Sequence, residues 1–66
     1  MKNINFADNL KMLRKSKKMT QAQLAELLGV GQRTISDWET KVSEPSFSTL
    51  AKLCDIFDES FDNILT

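Results

Sequence analysis

The stretch TQAQLAELLGVGQRTISDWE, residues 20–39, contains two short helical patterns separated by a glycine. Thr20 and Gln23 have the spacing of a capping box, which predicts a helix that starts at Gln21. The apolar stripe of this helix consists of Leu24, Leu27 and Leu28. Gly29 follows at the position of a left-handed C-cap. We therefore expect two helices joined by a tight turn.

The second pattern predicts a helix from Gln32 to about Thr40, with Gly31 as its N-cap. Ile35 and Trp38 are three residues apart, so they share a face and belong in the core. This spacing disfavours the alternative that Trp38 stacks on bases. The opposite face is polar and consists of Arg33, Ser36, Asp37 and Thr40, with Gln32 in the exposed first turn. Such a face has the donors and acceptors that suit a DNA major groove.

Three further helices are predicted, which makes the chain all-α with five helices. The first runs from about residue 6 to 17, with Asn5 as a plausible N-cap. Pro45 stops regular structure, and Ser46 caps a fourth helix. The apolar stripe of that helix is Phe47, Leu50, Leu53, Cys54 and Phe57. Ser60 caps a short last helix that contains Phe61, Ile64 and Leu65.

A chain of 66 residues predicts a single domain, residues 1–66, with an economical core. The hydrophobic fraction of 41% and charged fraction of 27% are typical of a globular chain. No apolar run reaches the roughly 18 residues of a membrane span, and the N-terminus lacks a signal-peptide core. We expect a cytoplasmic protein with no membrane partner.

The cysteine and histidine content argues against a metal, a cofactor or catalysis. Cys54 is the one cysteine, and the chain has no histidine, so neither an internal disulfide nor a Cys/His zinc site is expected. With no tyrosine and no clustered carboxylates in an apolar pocket, an enzyme is not expected. No small-molecule ligand is evident either.

The formal net charge is zero, but the charges are unevenly distributed. Residues 1–41 contain eight Lys or Arg and four Asp or Glu, a surplus of four positive charges. Residues 42–66 contain one Lys and five Asp or Glu, a deficit of four. This asymmetry is compatible with a nucleic-acid partner for the first part. For the charge distribution alone, the favoured interpretation is that both runs are ordinary solvated helix faces.

The run from Phe6 to Leu65 resembles the phage repressor and Cro type of helix-turn-helix domain, the xenobiotic-response-element class. Three segments carry the resemblance in order: LRKSKKMTQAQLAELLGV, then ISDWE, then EPSFSTLAKLCDIFDESFDNIL. It implies a five-helix lambda-repressor-like DNA-binding domain. In this family helix 2 crosses the DNA backbone and helix 3 enters the major groove.

The resemblance also implies roles for individual residues. Positions that read base edges in the family are matched by Gln32, Arg33 and Asp37. Positions where contacts to a base or a phosphate are common are matched by Thr34 and Ser36. Positions that contact phosphates are matched by Gln21, Thr40 and Lys41. A partly buried ion pair that fixes helix 3 against helix 1 is matched by Arg14 and Glu39.

Two of these roles have alternatives. Gln32 and Arg33 could simply face solvent, although the motif favours base contact. The carboxylate of Asp37 could accept from cytosine N4 or pair with Arg33 four residues earlier, and the pairing is slightly favoured.

The chain departs from the family pattern at three places. Gly31 replaces the usual serine or threonine cap. Lys41 stands where a glycine is common, so the path of the loop after helix 3 is left open. Asp58 and Glu59 replace a glycine and an apolar residue, which makes the turn after helix 4 more acidic.

The resemblance implies a double-stranded DNA operator as the partner and a repressor associated with the nucleoid. Because operators are commonly read by symmetric dimers, we expect a homodimer. Its candidate contact residues are Phe61, Ile64 and Leu65, which could equally close the core. The alternative function is an antitoxin-like or other protein-interaction module with secondary DNA binding.

Overall fold

The computed structural model describes residues 5–66, which form five α-helices and no strand. The helices are α1 (Phe6–Ser16), α2 (Gln21–Leu28), α3 (Gln32–Glu39), α4 (Phe47–Phe57) and α5 (Phe61–Leu65). The expected all-α, five-helix architecture is confirmed. The predicted ends of helices 1 and 3 were each one residue too late.

Side-chain caps start three of the helices where the sequence predicted them. At α2 the Thr20 hydroxyl accepts from the Gln23 backbone N–H at 3.0 Å, and the Gln23 side chain accepts from the Thr20 N–H at 2.8 Å. This is the predicted capping box. The hydroxyls of Ser46 and Ser60 cap α4 and α5 in the same way. Gly31 precedes α3 in an extended conformation and offers no side-chain cap.

The start of α1 is held by the last helix. The side chain of Asn5 makes no cap hydrogen bond, which differs from the prediction. Instead its backbone N–H donates to the Leu65 carbonyl at 2.9 Å. The Asn9 side-chain amide donates to the Ile64 carbonyl at 3.1 Å. These bonds connect α1 to α5.

Each of the first four helices is followed, one or two residues after its last residue, by a residue with positive φ. These residues are Lys18 (57°), Gly29 (74°), Lys41 (67°) and Asp58 (54°). In each case the next backbone N–H donates to the carbonyl five residues earlier; the bonds are Met19 to Arg14, Val30 to Ala25, Val42 to Asp37 and Glu59 to Cys54. This is the Schellman arrangement, for which glycine is the usual residue. Lys41 therefore provides the left-handed turn that glycine commonly provides.

Each helix contributes one fully buried side chain to a shared core. These are Leu10, Leu24, Ile35, Leu53 and Ile64. Burial of each is worth about 1.5–3 kcal/mol relative to exposure. Trp38 and Phe57 are also buried in this cluster, and Cys54 packs against it, half-buried.

Two predicted core positions are exposed instead. Leu27 is 61% exposed because Leu24, Ala25 and Leu28 define the buried arc of α2, and Leu27 lies roughly 110° from its centre at 100° per residue. Phe47, the first residue of α4, is 73% exposed. Its ring stacks on the ring of Phe61 with the centroids 4.9 Å apart.

Candidate nucleic-acid interface

Helix α3 is anchored by one face and exposes its start. Ile35 is completely buried and Trp38 is 5% exposed, so both lie in the core as predicted. Gln32 and Arg33 are exposed at the first turn. Because the two apolar anchors fix the rotation of the helix, its polar side is directed outward.

Five of the predicted DNA-contacting residues line one open depression of about 440 Å³. They are Gln21 from the start of α2 and Gln32, Arg33, Ser36 and Asp37 from α3. The first turn of a helix carries backbone N–H groups without partners in the helix, so the start of α2 suits an anion such as phosphate. Thr34 is half-buried and does not line this depression.

A buried ion pair joins α1 to the end of α3. The Arg14 Nε donates to Glu39 Oε2 at 2.7 Å, and Nη2 donates to Oε1 at 3.0 Å. The Arg14 Nη1 donates to the Met19 carbonyl at 2.8 Å. The pair implied by the resemblance thus forms in this structure, and it fixes the end of α3 against α1.

The start of α2 joins the same network. The Gln21 side-chain Nε2 donates to Glu39 Oε1 at 3.1 Å. This bond was not predicted from the sequence, because residues 18 positions apart show no periodic signal. Gln21 therefore lines the depression and is also hydrogen-bonded to the buried ion pair.

The hydrogen bonds and charges of this network shift the pKa values of Glu39 and Arg14. Burial alone would raise the pKa of Glu39. The hydrogen bonds from Arg14 and Gln21 and the positive charges of Arg14 and Lys11 outweigh this effect, so the pKa of Glu39 lies below its usual value. The hydrogen bond to Glu39 raises the pKa of Arg14. Both groups are charged at neutral pH.

The loop after α3 places Thr40 and Lys41 at the surface, but their donors differ. The Thr40 hydroxyl donates to the Ser36 carbonyl at 2.8 Å, so its hydrogen is engaged within the helix. A phosphate contact from this hydroxyl would require breaking that bond. Lys41 is exposed.

Asp37 and Arg33 are not paired. Across residues 5–66 no ion pair joins these two side chains, so the favoured pairing of Asp37 was wrong for this conformation. Asp37 is half-buried and lines the depression beside Arg33. The backbone carbonyl of Asp37, not its carboxylate, holds the following loop by accepting from Val42 at 2.8 Å.

The three apolar residues of α5 divide between two environments. Ile64 is fully buried and closes the core, which was its alternative role, so it has no surface to offer a second subunit. Phe61 is half-buried in the stack with Phe47, and Leu65 is half-buried against the core. The exposed ring of Phe47 was not predicted.

None of the helices within residues 5–66 has both the length and the hydropathy that crossing a membrane requires. That part of the chain also contains no group of three or more Cys, Asp or Glu side chains that could hold a metal ion.

The sequence has relatives among bacterial regulators. The regulator YqaE of Bacillus subtilis is 38% identical over 60 residues, which cover 91% of this chain and 52% of YqaE. AnsR of the same organism is 38% identical over 58 residues, covering 88% of this chain and 50% of AnsR. The activator BcrR of Enterococcus faecalis is 35% identical over 63 residues, 96% of this chain and 31% of BcrR. The chain thus spans between about a third and about half of the length of these relatives.

Solved structures contain the same fold. A transcriptional regulator from Listeria innocua superposes with a TM-score of 0.92 at 31% identity, covering 97% of this chain and 60% of that one. Hydroxypropylphosphonic acid epoxidase from S. wedmorenis matches with a TM-score of 0.82 at 31% identity, but over 92% of this chain and only 32% of the enzyme. This partial match does not assign the enzyme's activity to this chain, because one fold hosts several functions.

The family model described as Helix-turn-helix matches residues 10–64, most of the chain. With the fold and the relatives in agreement, this chain belongs to the Cro/C1-type helix-turn-helix family.

Proposed function

We propose that this protein is a non-enzymatic DNA-binding transcriptional regulator that reads an operator with α3 in the major groove. The observation that carries the proposal is the depression formed by Gln21, Gln32, Arg33, Ser36 and Asp37. Its α3 residues project from a helix whose other face is anchored by the core. Side chains that are held in this way can meet base edges with a defined register.

Charge supports this orientation. The surplus of positive charge lies in residues 1–41, which include the depression, and the negative charge lies in residues 42–66. Phosphates attract the first part and repel the second. Helices α4 and α5 therefore face away from DNA in the proposed complex.

The proposed regulator binds as a homodimer in the cytoplasm, on the nucleoid. A single domain contacts few base pairs, and two copies would read half-sites about 34 Å apart. The proposed effect is repression through occupancy of the operator. Because the relative BcrR is named an activator, the choice between repression and activation is tested by measuring reporter transcription with and without the protein.

Selection of duplexes from a random pool tests the proposal. We expect enrichment of a two-fold symmetric site whose affinity falls steeply with salt, since each phosphate contact releases counterions. Gln32→Ala should relax preference at one base position and cost about 1–3 kcal/mol. Lys41→Ala should weaken binding to all sequences alike and reduce the salt slope by about one.

Lys52→Ala is the matched control for Lys41→Ala, because Lys52 is an exposed lysine in the acidic part of the chain. It should leave binding unchanged. The absence of an enriched site, or equal effects of the two lysine changes, would contradict the groove assignment.

One observation favours a second candidate, a protein-interaction module such as an antitoxin. The exposed Phe47 ring and its partner Phe61 form an aromatic surface within the acidic part of the chain. A module of this kind would co-purify with a partner protein and show no duplex preference. Substitution of Phe47 by Ala would then reduce partner binding and leave DNA binding unaffected.

A further inference from the structure

We propose that Gln21 is a positioning residue for the recognition helix: through its hydrogen bond to Glu39 it sets how α3 presents Gln32 and Arg33 to bases. The inference rests on the proposed function. It assigns to Gln21 a role in base preference, beyond the phosphate contact that the family resemblance implies.

The bond joins the Gln21 side chain to a buried acceptor on another helix. Gln21 Nε2 lies 3.1 Å from Glu39 Oε1, the oxygen that also accepts from Arg14 Nη2 at 3.0 Å. The Glu39 side chain is only 1% exposed, so water cannot easily replace a lost donor. Each end of the bond belongs to a different helix, and the acceptor is itself fixed to α1.

This hydrogen bond is directional, whereas the core contacts between α2 and α3 are not. Burial of Leu24, Leu28 and Ile35 holds the two helices together and sets which face of α3 is inward, but it tolerates small rotations of the helix. A hydrogen bond to a buried carboxylate weakens steeply when its angle changes. The Gln21 bond therefore restrains the rotation of α3 about its axis.

Gln21 also lies at the surface that faces DNA in the proposed complex. Its side chain lines the depression together with Gln32 and Arg33. Only the NH₂ group can donate to a carboxylate, so the orientation of the amide is settled. One N–H of the amide is used by Glu39, and the second N–H is available to a phosphate. In the proposed complex the Gln21 side chain thus both contacts the DNA backbone and orients α3.

The two roles of Gln21 predict different binding behaviour. Loss of a phosphate donor alone weakens binding to every duplex by the same factor. Loss of a positioning bond also changes the relative affinities for duplexes that differ at the bases read by α3. Base discrimination is therefore the readout that separates the roles.

The test uses Gln21→Met, which keeps the side-chain length and removes the donor. In the free protein, a ¹³C NMR titration of the Glu39 carboxyl should show a raised pKa in Gln21→Met and an unchanged pKa in Gln32→Met, the control. On the selected duplex and its single-base variants, discrimination should fall about three- to tenfold, as expected for one lost hydrogen bond. Lys41→Ala, the control for a phosphate contact, should leave discrimination unchanged.

An unchanged Glu39 titration in Gln21→Met would overturn the link between the two side chains. A uniform loss of affinity without loss of discrimination would reduce Gln21 to a phosphate donor and overturn the proposal. If the wild-type protein selects no duplex, the proposed function fails and the positioning role fails with it. The titration still shows whether the link itself exists.

Discussion

Arg14 and Glu39 pair in a bidentate arrangement across 25 residues of sequence, with each carboxylate oxygen matched to one guanidinium N–H. The two side chains are 10% and 1% exposed, so the pair is mostly buried. The attraction between such charges is largely offset by the cost of removing them from water. We therefore interpret the pair as a device that orients α3, and not as a large net source of stability.

Removal of one charge of the Arg14–Glu39 pair should be more damaging to stability than removal of both. Arg14→Met should lower the free energy of unfolding by about 3–5 kcal/mol, because it leaves the carboxylate of Glu39 buried and unpaired. The double variant Arg14→Met with Glu39→Leu should recover much of that loss, since no charge then remains buried. Urea denaturation of both variants measures the difference. A double variant that is no more stable than Arg14→Met would contradict this reading of the pair.

Stability should also depend on pH through Glu39. Its pKa is lowered in the folded protein, so its contribution is present above the unfolded value of about 4.5 and is lost as pH falls through the folded pKa. Glu39→Gln should therefore cost most near neutral pH, and its difference from wild type should shrink below about pH 4.5. Glu26→Gln removes an exposed carboxylate of α2 and is the control. Its difference from wild type should stay small at every pH in thermal melts.

The left-handed turn after α1 gives a third prediction. Lys18 adopts φ 57°, which costs a non-glycine residue roughly 1 kcal/mol or more. Lys18→Gly should raise the free energy of unfolding by about 0.5–1 kcal/mol, after subtraction of the greater freedom of glycine in the unfolded chain.

Lys17→Gly is the matched control, because Lys17 has φ −92° and gains nothing from glycine. It should lower stability in the same denaturation measurement. A loss of stability in Lys18→Gly would mean that the lysine side chain contributes more than its backbone conformation costs.

The parts of the fold that the sequence predicted correctly depend on neighbours in the chain. The capping box of Thr20 and Gln23 and the turn at Gly29 are local arrangements, so the boundaries of α2 could be predicted closely. The burial of Ile35 and Trp38 followed from their spacing on one helical face. This spacing also placed Gln32 on the outside.

The parts that the sequence did not predict depend on which other helix packs against a given face. Leu27 fits an apolar stripe by spacing, yet the neighbouring helices cover Ala25 and leave Leu27 exposed. The bond from Gln21 to Glu39 exists because the start of α2 lies beside the end of α3. Neither follows from the periodicity of one segment.

The missing ion pair between Arg33 and Asp37 has an energetic reason. A solvent-accessible pair at this helical spacing is worth about 0.3–0.5 kcal/mol, which the loss of side-chain freedom can cancel. Both groups then remain available in the depression.

The carboxylate of Asp37 lies in the depression that faces DNA in the proposed complex. Asp37→Asn removes the repulsion between carboxylate and phosphate, so affinity for arbitrary duplexes should rise about three- to tenfold at low salt and less as salt increases. The backbone carbonyl that holds the loop after α3 is unchanged by this substitution. Asp55→Asn, an exposed change on α4, is the control and should have little effect.

If Asp37 instead accepts from cytosine N4, Asp37→Asn should weaken binding to the selected site and abolish preference for one cytosine. Fluorescence anisotropy with the selected and a scrambled duplex distinguishes the two results, and equal affinities of wild type and Asp37→Asn on both duplexes would show that Asp37 does not face DNA.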